Sequence, residues 1–181
     1  NMTSYTKYLS TTAVYCNDRS NPAGGYNTGN STLYYGGYTR LITNKTPSYD
    51  CTATEDKFTV DTSTGNGKLK YPIALMTADE VSFAGGLWAT YAPTWYYYNS
   101  AKGSSTGMFW WWLLSPCGWN GSYANVFGVY GSSHPGYLDV DLVDGADGVR
   151  PSVSLKSCVK TSGGDGSAST PYTIEETSSG C

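Results

Sequence analysis

The run Met108-Phe-Trp-Trp-Trp-Leu-Leu-Ser-Pro116 is apolar almost throughout, and Gly148-Val-Arg-Pro-Ser-Val-Ser-Leu155 alternates apolar and polar positions. Between them lies a long polar, aromatic stretch almost empty of lysine and arginine. Residues 109–114, apolar at every position, predict a strand buried on both faces, and 149–155 predicts the last strand of the core. Inside the bracket, Tyr123-Ala-Asn-Val-Phe-Gly-Val129 and Tyr137-Leu-Asp-Val-Asp-Leu142 alternate and predict hairpins joined by glycine-rich turns. Upstream, 61–67 reads as a turn feeding a strand over 69–75. Thr77-Ala-Asp-Glu80 then opens a helix: Thr77 is placed to cap free amides, Glu80 to reach back, and Met76 with Val81 has the spacing of a hydrophobic staple. Gly85-Gly86 ends that helix after about two turns. Residues 87–99, aromatic and broken by Pro93, predict a packed loop or irregular strand laid over the core. Residues 21–25 and 27–30 are breaker clusters, and 32–42 is a strand or a short helix.

The 181 residues suit one domain. Its expected span is 1–160, with 1–70 as an irregular N-terminal part and 71–160 as core and binding face; 161–181 is expected to be a flexible C-terminal tail with a candidate edge strand at 171–174. Seventeen Tyr and six Trp against four Phe, with abundant Gly, Ser, Thr and Asn, favour short strands and many turns over long helices. The net charge of -3 comes with scattered basic residues, so no stripe exists to neutralise a run of phosphates and nucleic acid is an unsuitable partner. No apolar run is long enough to span a bilayer, so no direct membrane insertion is expected of this fragment. Its first residues lack the pattern of a secretion signal, which fits an excised ectodomain or a processed product.

The five cysteines have no metal-binding spacing. Cys16 and Cys51 are the candidate disulfide, set in the strand-poor N-terminal third where a crosslink helps most; its loop contributes roughly 3–4 kcal/mol in the chain-entropy model. A second bridge would join Cys158 to Cys181 or to Cys117 and leave one thiol over. Disulfides favour an oxidising, extracellular setting.

Three segments in order, Leu75-Met-Thr-Ala-Asp-Glu-Val-Ser-Phe-Ala-Gly-Gly86, Trp111-Trp-Leu-Leu-Ser-Pro116 and Gly148-Val-Arg-Pro-Ser-Val-Ser-Leu155, resemble conserved elements of the formylglycine-generating-enzyme family, with Met76 where that family has proline. The set is more closely similar to bacterial and phage surface proteins with a C-type-lectin-like fold, including the variable proteins of diversity-generating retroelements. The resemblance implies an α+β fold with a small twisted antiparallel sheet, one or two short helices and extensive loops. It also implies a ligand-binding face between the tryptophan strand and the closing strand, here residues 117–147. The candidate contact residues are Trp119, Ser122, Tyr123, Tyr130, Ser132, Ser133, His134, Tyr137, Asp139, Asp141, Asp144 and Asp147. This segment has no Lys, Glu, Gln or Met, a composition compatible with diversification at adenine-containing codons. The implied ligand is a protein or carbohydrate on a cell or host surface, and the implied location is a bacterial cell surface or a phage particle.

Each chemical motif has a plainer reading beside it. The tryptophan triplet reads as core, the natural keystone of a small sheet, while Tyr96, Tyr97 and Tyr98 divide between core and contact. Asp139, Asp141, Asp144 and Asp147 lack calcium-loop spacing and read as a solvated acidic rim favouring a basic or neutral partner. His134 is the only histidine and has no nucleophile motif around it. Formylglycine-generating enzymes hold copper with a reactive cysteine pair near the closing strand; here only Cys117 lies in that region, and Cys158 falls beyond it. That departure implies a retained fold without the activity, so neither an enzyme nor a cofactor is expected. Arg150 is expected to pair with carbonyls or a carboxylate beneath the loops. The best functional reading is a displayed binding domain, and its alternative is a structural or assembly module of a surface protein.

Overall fold

A computed structural model describes residues 4–20, 32–92, 110–130, 134, 136–167 and 169–181. In chain order its elements are strands Tyr15–Cys16 (β1) and Leu33–Tyr34 (β2), helix Gly36–Tyr38 (α1) running into a wide π turn at Thr39–Thr43, and strands Lys57–Phe58 (β3) and Ile73–Leu75 (β4). Helix Ala78–Phe83 (α2) and strand Leu87–Trp88 (β5) precede the three long strands Trp110–Trp119 (β6), Ala124–Tyr130 (β7) and Tyr137–Leu142 (β8). Pro151–Val153 (β9), Thr161–Gly163 (β10) and Thr173–Ile174 (β11) follow. The architecture is α+β: mostly short strands around a curled five-stranded sheet in the order β2-β6-β7-β8-β5, with two short helices. Three two-stranded ladders, β1-β3, β4-β9 and β10-β11, surround it. The expectation of an antiparallel sheet holds except at one edge, where β5 runs parallel to β8.

β6 organises the rest. Trp111, Leu113, Ser115 and Cys117 are buried, while Trp110, Trp112, Leu114 and Pro116 are half-buried. The expected burial on both faces is therefore corrected to one buried face and one partly open face, because period-2 side chains can serve a single core only on alternate positions. Phe127 and Val129 of β7, Leu138 of β8, and Ala78 and Val81 of α2, all fully enclosed, complete the core with Trp111 and Leu113. Each large apolar side chain buried this way contributes about 1.5–3 kcal/mol.

Helix α2 forms as its local signals dictate. Thr77 Oγ1 accepts from the Glu80 amide at 3.1 Å, and the Glu80 carboxylate accepts from the Thr77 amide at 2.6 Å, which completes the capping box. The Ala78 amide donates to buried Ser115 Oγ at 2.9 Å, so β6 holds the helix start. At the other end, a Cβ on Gly86 would lie 2.6 Å from Val81 Cγ1 and 2.9 Å from its carbonyl oxygen, so only glycine lets the chain turn this close.

The N-terminal third has little core of its own and is fastened by polar bonds. The Cys16–Cys51 disulfide is present as expected, and the second bridge is Cys158–Cys181, leaving Cys117 as a buried free thiol. Arg40 donates to both oxygens of Asp79 at 2.7 Å and to Asp18 at 2.6 Å. Asp79 is almost fully buried and also accepts from the Ser48 amide. Its hydrogen bonds to Arg40 hold that guanidinium above its ordinary pKa, outweighing burial. Arg19 pairs with Asp56 at 2.6 Å. At the C-terminus, β11 pairs with β10, away from the main sheet, and the tail bonds back to the start of the chain through Tyr8 and Thr177.

Replacing Asp79 with Ala strands Arg40 beside Asp18 alone. The expected loss, read by urea unfolding, is about 3–5 kcal/mol, the usual consequence of removing one partner of a buried pair; a loss under about 1 kcal/mol would mean that this network does not fasten the N-terminal third.

Candidate functional site

The sheet has one core face and one outer face, and strand register decides which residues share the latter. Trp110 lies opposite Tyr130 and Trp112 opposite Gly128 across β6 and β7; Gly128 lies opposite Asp139 and Val126 opposite Asp141 across β7 and β8. Alternation along β8 puts Tyr137 on the same side as Asp139 and Asp141. One surface therefore carries aromatic rings at one end and carboxylates beside them.

The aromatic end is a contact cluster. Trp110 and Tyr130 have ring centroids 4.7 Å apart; Tyr130 lies 4.8 Å from His134 and 6.1 Å from Tyr137, and His134 lies 5.6 Å from Tyr137. The contacts of Tyr130, His134 and Tyr137 with one another are all edge-to-face, the favoured geometry for opposed ring quadrupoles. Tyr91, from the chain after β5, reaches His134 at 6.2 Å. His134 is exposed, and Trp110, Tyr130 and Tyr137 are half-buried, so a contacting surface can reach them while their neighbours hold them in place.

The carboxylates serve two purposes. Val143 N donates to the Ala124 carbonyl, so alternation turns the amides of Val140 and Leu142 away from β7, toward the edge that two-residue β5 leaves uncovered. Asp139 and Asp141 each bend to accept the next residue's amide, at 2.8 and 2.7 Å. These bonds satisfy donors that would otherwise invite a foreign strand. Burial raises the Asp139 pKa; the bond from Val140 opposes this, and the charge of Asp141 adds to the rise. The Asp147 pKa is raised by burial first and by the adjacent Asp141 carboxyl second. Asp147 Oδ2 is enclosed with no donor on it among the described residues. No group of three or more metal-ligating side chains occurs among the described residues.

The candidate residues do not all meet in one place. Ser122 and Tyr123 are exposed in the β6–β7 turn, where Asn120 Oδ1 accepts from both of their amides, and half-buried Trp119 pairs with Ala124 there. Exposed Asp144 lies just beyond β8, at the same end. Tyr130, His134 and Tyr137 stand at the opposite end of β7, about 20 Å away at the usual strand rise. Asp139 and Asp141 lie between, with Asp147 beside Asp141. Ser132 and Ser133 lie outside the described residues, as do Tyr96, Tyr97 and Tyr98.

Two further placements depart from expectation. Trp110 and Trp112 face outward, and only Trp111 of the triplet is core; period-2 alternation was the signal for this, though it does not say which parity faces in. Arg150 makes no ion pair among the described residues, and its guanidinium carbon lies 5.0 Å above the Trp111 ring, with burial lowering its pKa. The Cys117 thiol is pushed up to about 12 by burial, so it stays protonated and unreactive at neutral pH. A groove of 1010 Å³ between the π turn and the Cys16–Cys51 disulfide lies away from this face. Asp18, Arg19, Arg40 and Asp56 on its wall are paired with protein partners.

Comparison with known protein families, curated proteins and solved structures finds no match to this chain.

Because the folded pKa of Asp147 is raised, its charge opposes folding above that pKa, and the penalty fades as pH falls to the ordinary carboxylate value of 3.8. Asp147→Asn should therefore raise the thermal midpoint at pH 7 and leave it unchanged near the acid limit; a lower midpoint at pH 7 would mean that the carboxylate makes a bond the fold needs.

Proposed function

We propose that this chain is a displayed ligand-binding domain, a C-type-lectin-like variable protein of the kind carried by diversity-generating retroelements, on a bacterial cell surface or phage particle. Its ligand is a protein or carbohydrate on another surface, bound without chemistry. The observation that carries the reading is the partly exposed cluster of Trp110, Tyr130, His134 and Tyr137, which stands on strands whose opposite side is the core. Rigid aromatic rings with few torsions to freeze give contact area at low entropic cost, and a stiff sheet beneath keeps that area preorganised. The resemblance of 75–86, 111–116 and 148–155 to such proteins supports the same assignment. An extracellular setting agrees with two disulfides, and no helix among the described residues is long and apolar enough to cross a membrane.

A structural or assembly module is the second reading, favoured by a different surface. An apolar groove of 390 Å³ lined by Phe58, Leu69, Ile73, Leu75, Leu114 and Val149 lies beside β4 and β9. Val149 is 66% exposed, Val153 45% and Leu155 48%, an apolar stripe of the kind that neighbouring domains cover.

Tyr130→Ala combined with Tyr137→Ala should abolish binding on panels of immobilised glycans and purified surface proteins while shifting the thermal midpoint by only about 2–4 °C; unchanged binding would dispose of the aromatic face. For the second reading, sedimentation should show self-association of the isolated chain that Val149→Ser and Leu155→Ser remove. A monomer at all concentrations leaves the groove without that role.

A further inference from the structure

We propose that the outer sheet face recognises a cationic side chain of a protein partner, an arginine guanidinium or lysine ammonium, held between the rings of Trp110, Tyr130 and Tyr137 and the carboxylates of Asp139, Asp141 and Asp147. This proposal rests on the binding-face reading above and names the ligand chemistry it serves.

Charge pairing elsewhere in the chain supplies the contrast. Asp18 and Asp79 share Arg40, and Asp56 takes Arg19. Asp139, Asp141 and Asp147 are half-buried, as Asp18 is, yet no cation pairs with them among the described residues, and the sequence has no Lys or Arg from 103 to 149. The edge-amide bonds occupy Oδ1 of Asp139 and of Asp141; Oδ2 of Asp139 is left for a partner, and the Asp141 carboxyl also meets that of Asp147. Asp147 Oδ2 is enclosed without a donor, facing the carboxyl of Asp141. Asp141 interacts with Asp139 on one side and with Asp147 on the other, and carboxylates paired in this way without a counter-charge have their repulsion relieved when a cation arrives, whereas an acidic partner would meet the same charges as a barrier.

The rings point to the form of that cation. A cation within about 6 Å of an aromatic centroid gains from the ring quadrupole, and more so when partly desolvated. Tyr137 and Asp139 are successive residues on one face of β8, about 7 Å apart along the strand. A guanidinium or ammonium on a long aliphatic stem therefore spans from ring to carboxylate while its stem covers apolar surface. A bare divalent ion gains nothing from the rings and would need more ligands than the described residues assemble.

The test uses the whole chain, with a tri-arginine peptide as probe and triglutamate and a neutral trisaccharide as comparators. Indole N–H resonances of Trp110 and Trp112, assigned through their Phe variants, report binding. Tri-arginine should shift both, with an affinity that falls several-fold between low salt and about 0.3 M sodium chloride. Asp139→Asn and Asp147→Asn should each weaken it about fivefold or more. Glu175→Gln, in the exposed tail, should leave it unchanged. Should Asp139→Asn fail to fold, Asp147→Asn carries the same comparison. A tri-arginine affinity unaffected by the carboxylate variants overturns the proposal. Shifts of Trp110 and Trp112 caused only by triglutamate or the trisaccharide overturn the cationic class while keeping the binding face; silence of both indoles toward every probe counts against the face as well.

Discussion

Strand β6 can turn only every second side chain toward the core, and most of the molecule follows from how that constraint is met. With Trp111, Leu113, Ser115 and Cys117 inward, the strand accepts β7 along one edge and β2 on the other. Its remaining backbone groups take up the rest of the fold. Leu114 donates to the Met76 carbonyl just ahead of α2, and Gly148 exchanges bonds with Trp110 and Trp112 as the chain enters its closing strand. A slip of one residue would send Trp110 and Trp112 into the core and turn Trp111 outward, so packing one face defines what the other presents.

The two ends of the chain are held by different physics. Around Tyr15-Cys-Asn-Asp-Arg19 nearly every residue has a fastening role: the Tyr15 hydroxyl donates to the Pro72 carbonyl, Cys16 is bridged, the Asn17 amide donates to Asp56, Asp18 takes Arg40 and Arg19 takes Asp56. Directional bonds and a crosslink here replace the apolar burial that a strand-poor segment cannot supply. At the other end, the Cys158–Cys181 bridge closes a loop containing the β10–β11 hairpin, and Thr177 is bonded to buried Tyr8, so the two termini meet.

Joining aromatic rings to carboxylates on an open sheet face has structural and functional sides. Asp139 and Asp141 protect the edge of β8 by satisfying its outward amides, and the same residues load the face with charge that no cation neutralises among the described residues. The outer surface that results has the packed core beneath it, aromatic rings at one end and carboxylates beside them. The imidazole of His134 is exposed at the aromatic end of this face, while the thiol of Cys117 is protonated and buried in the core.

Features carried by neighbouring residues were legible in the sequence. The capping box at Thr77 and Glu80, the stop at Gly85-Gly86 and the strand segments of β7 and β8 depend on patterns within a few positions, and each appears where its pattern placed it. Cys16–Cys51 could be named as a candidate, but the choice of Cys181 over Cys117 for Cys158 required knowing that Cys117 is sealed in the core. The parity of the tryptophan triplet, the seat of Arg150 over Trp111, the parallel pairing of β5 and the meeting of Tyr91 with His134 were decided only in three dimensions. Each is a long-range contact whose partners have no fixed spacing. A periodic pattern states that alternate residues share a face; which face is buried depends on what the rest of the chain brings to cover it.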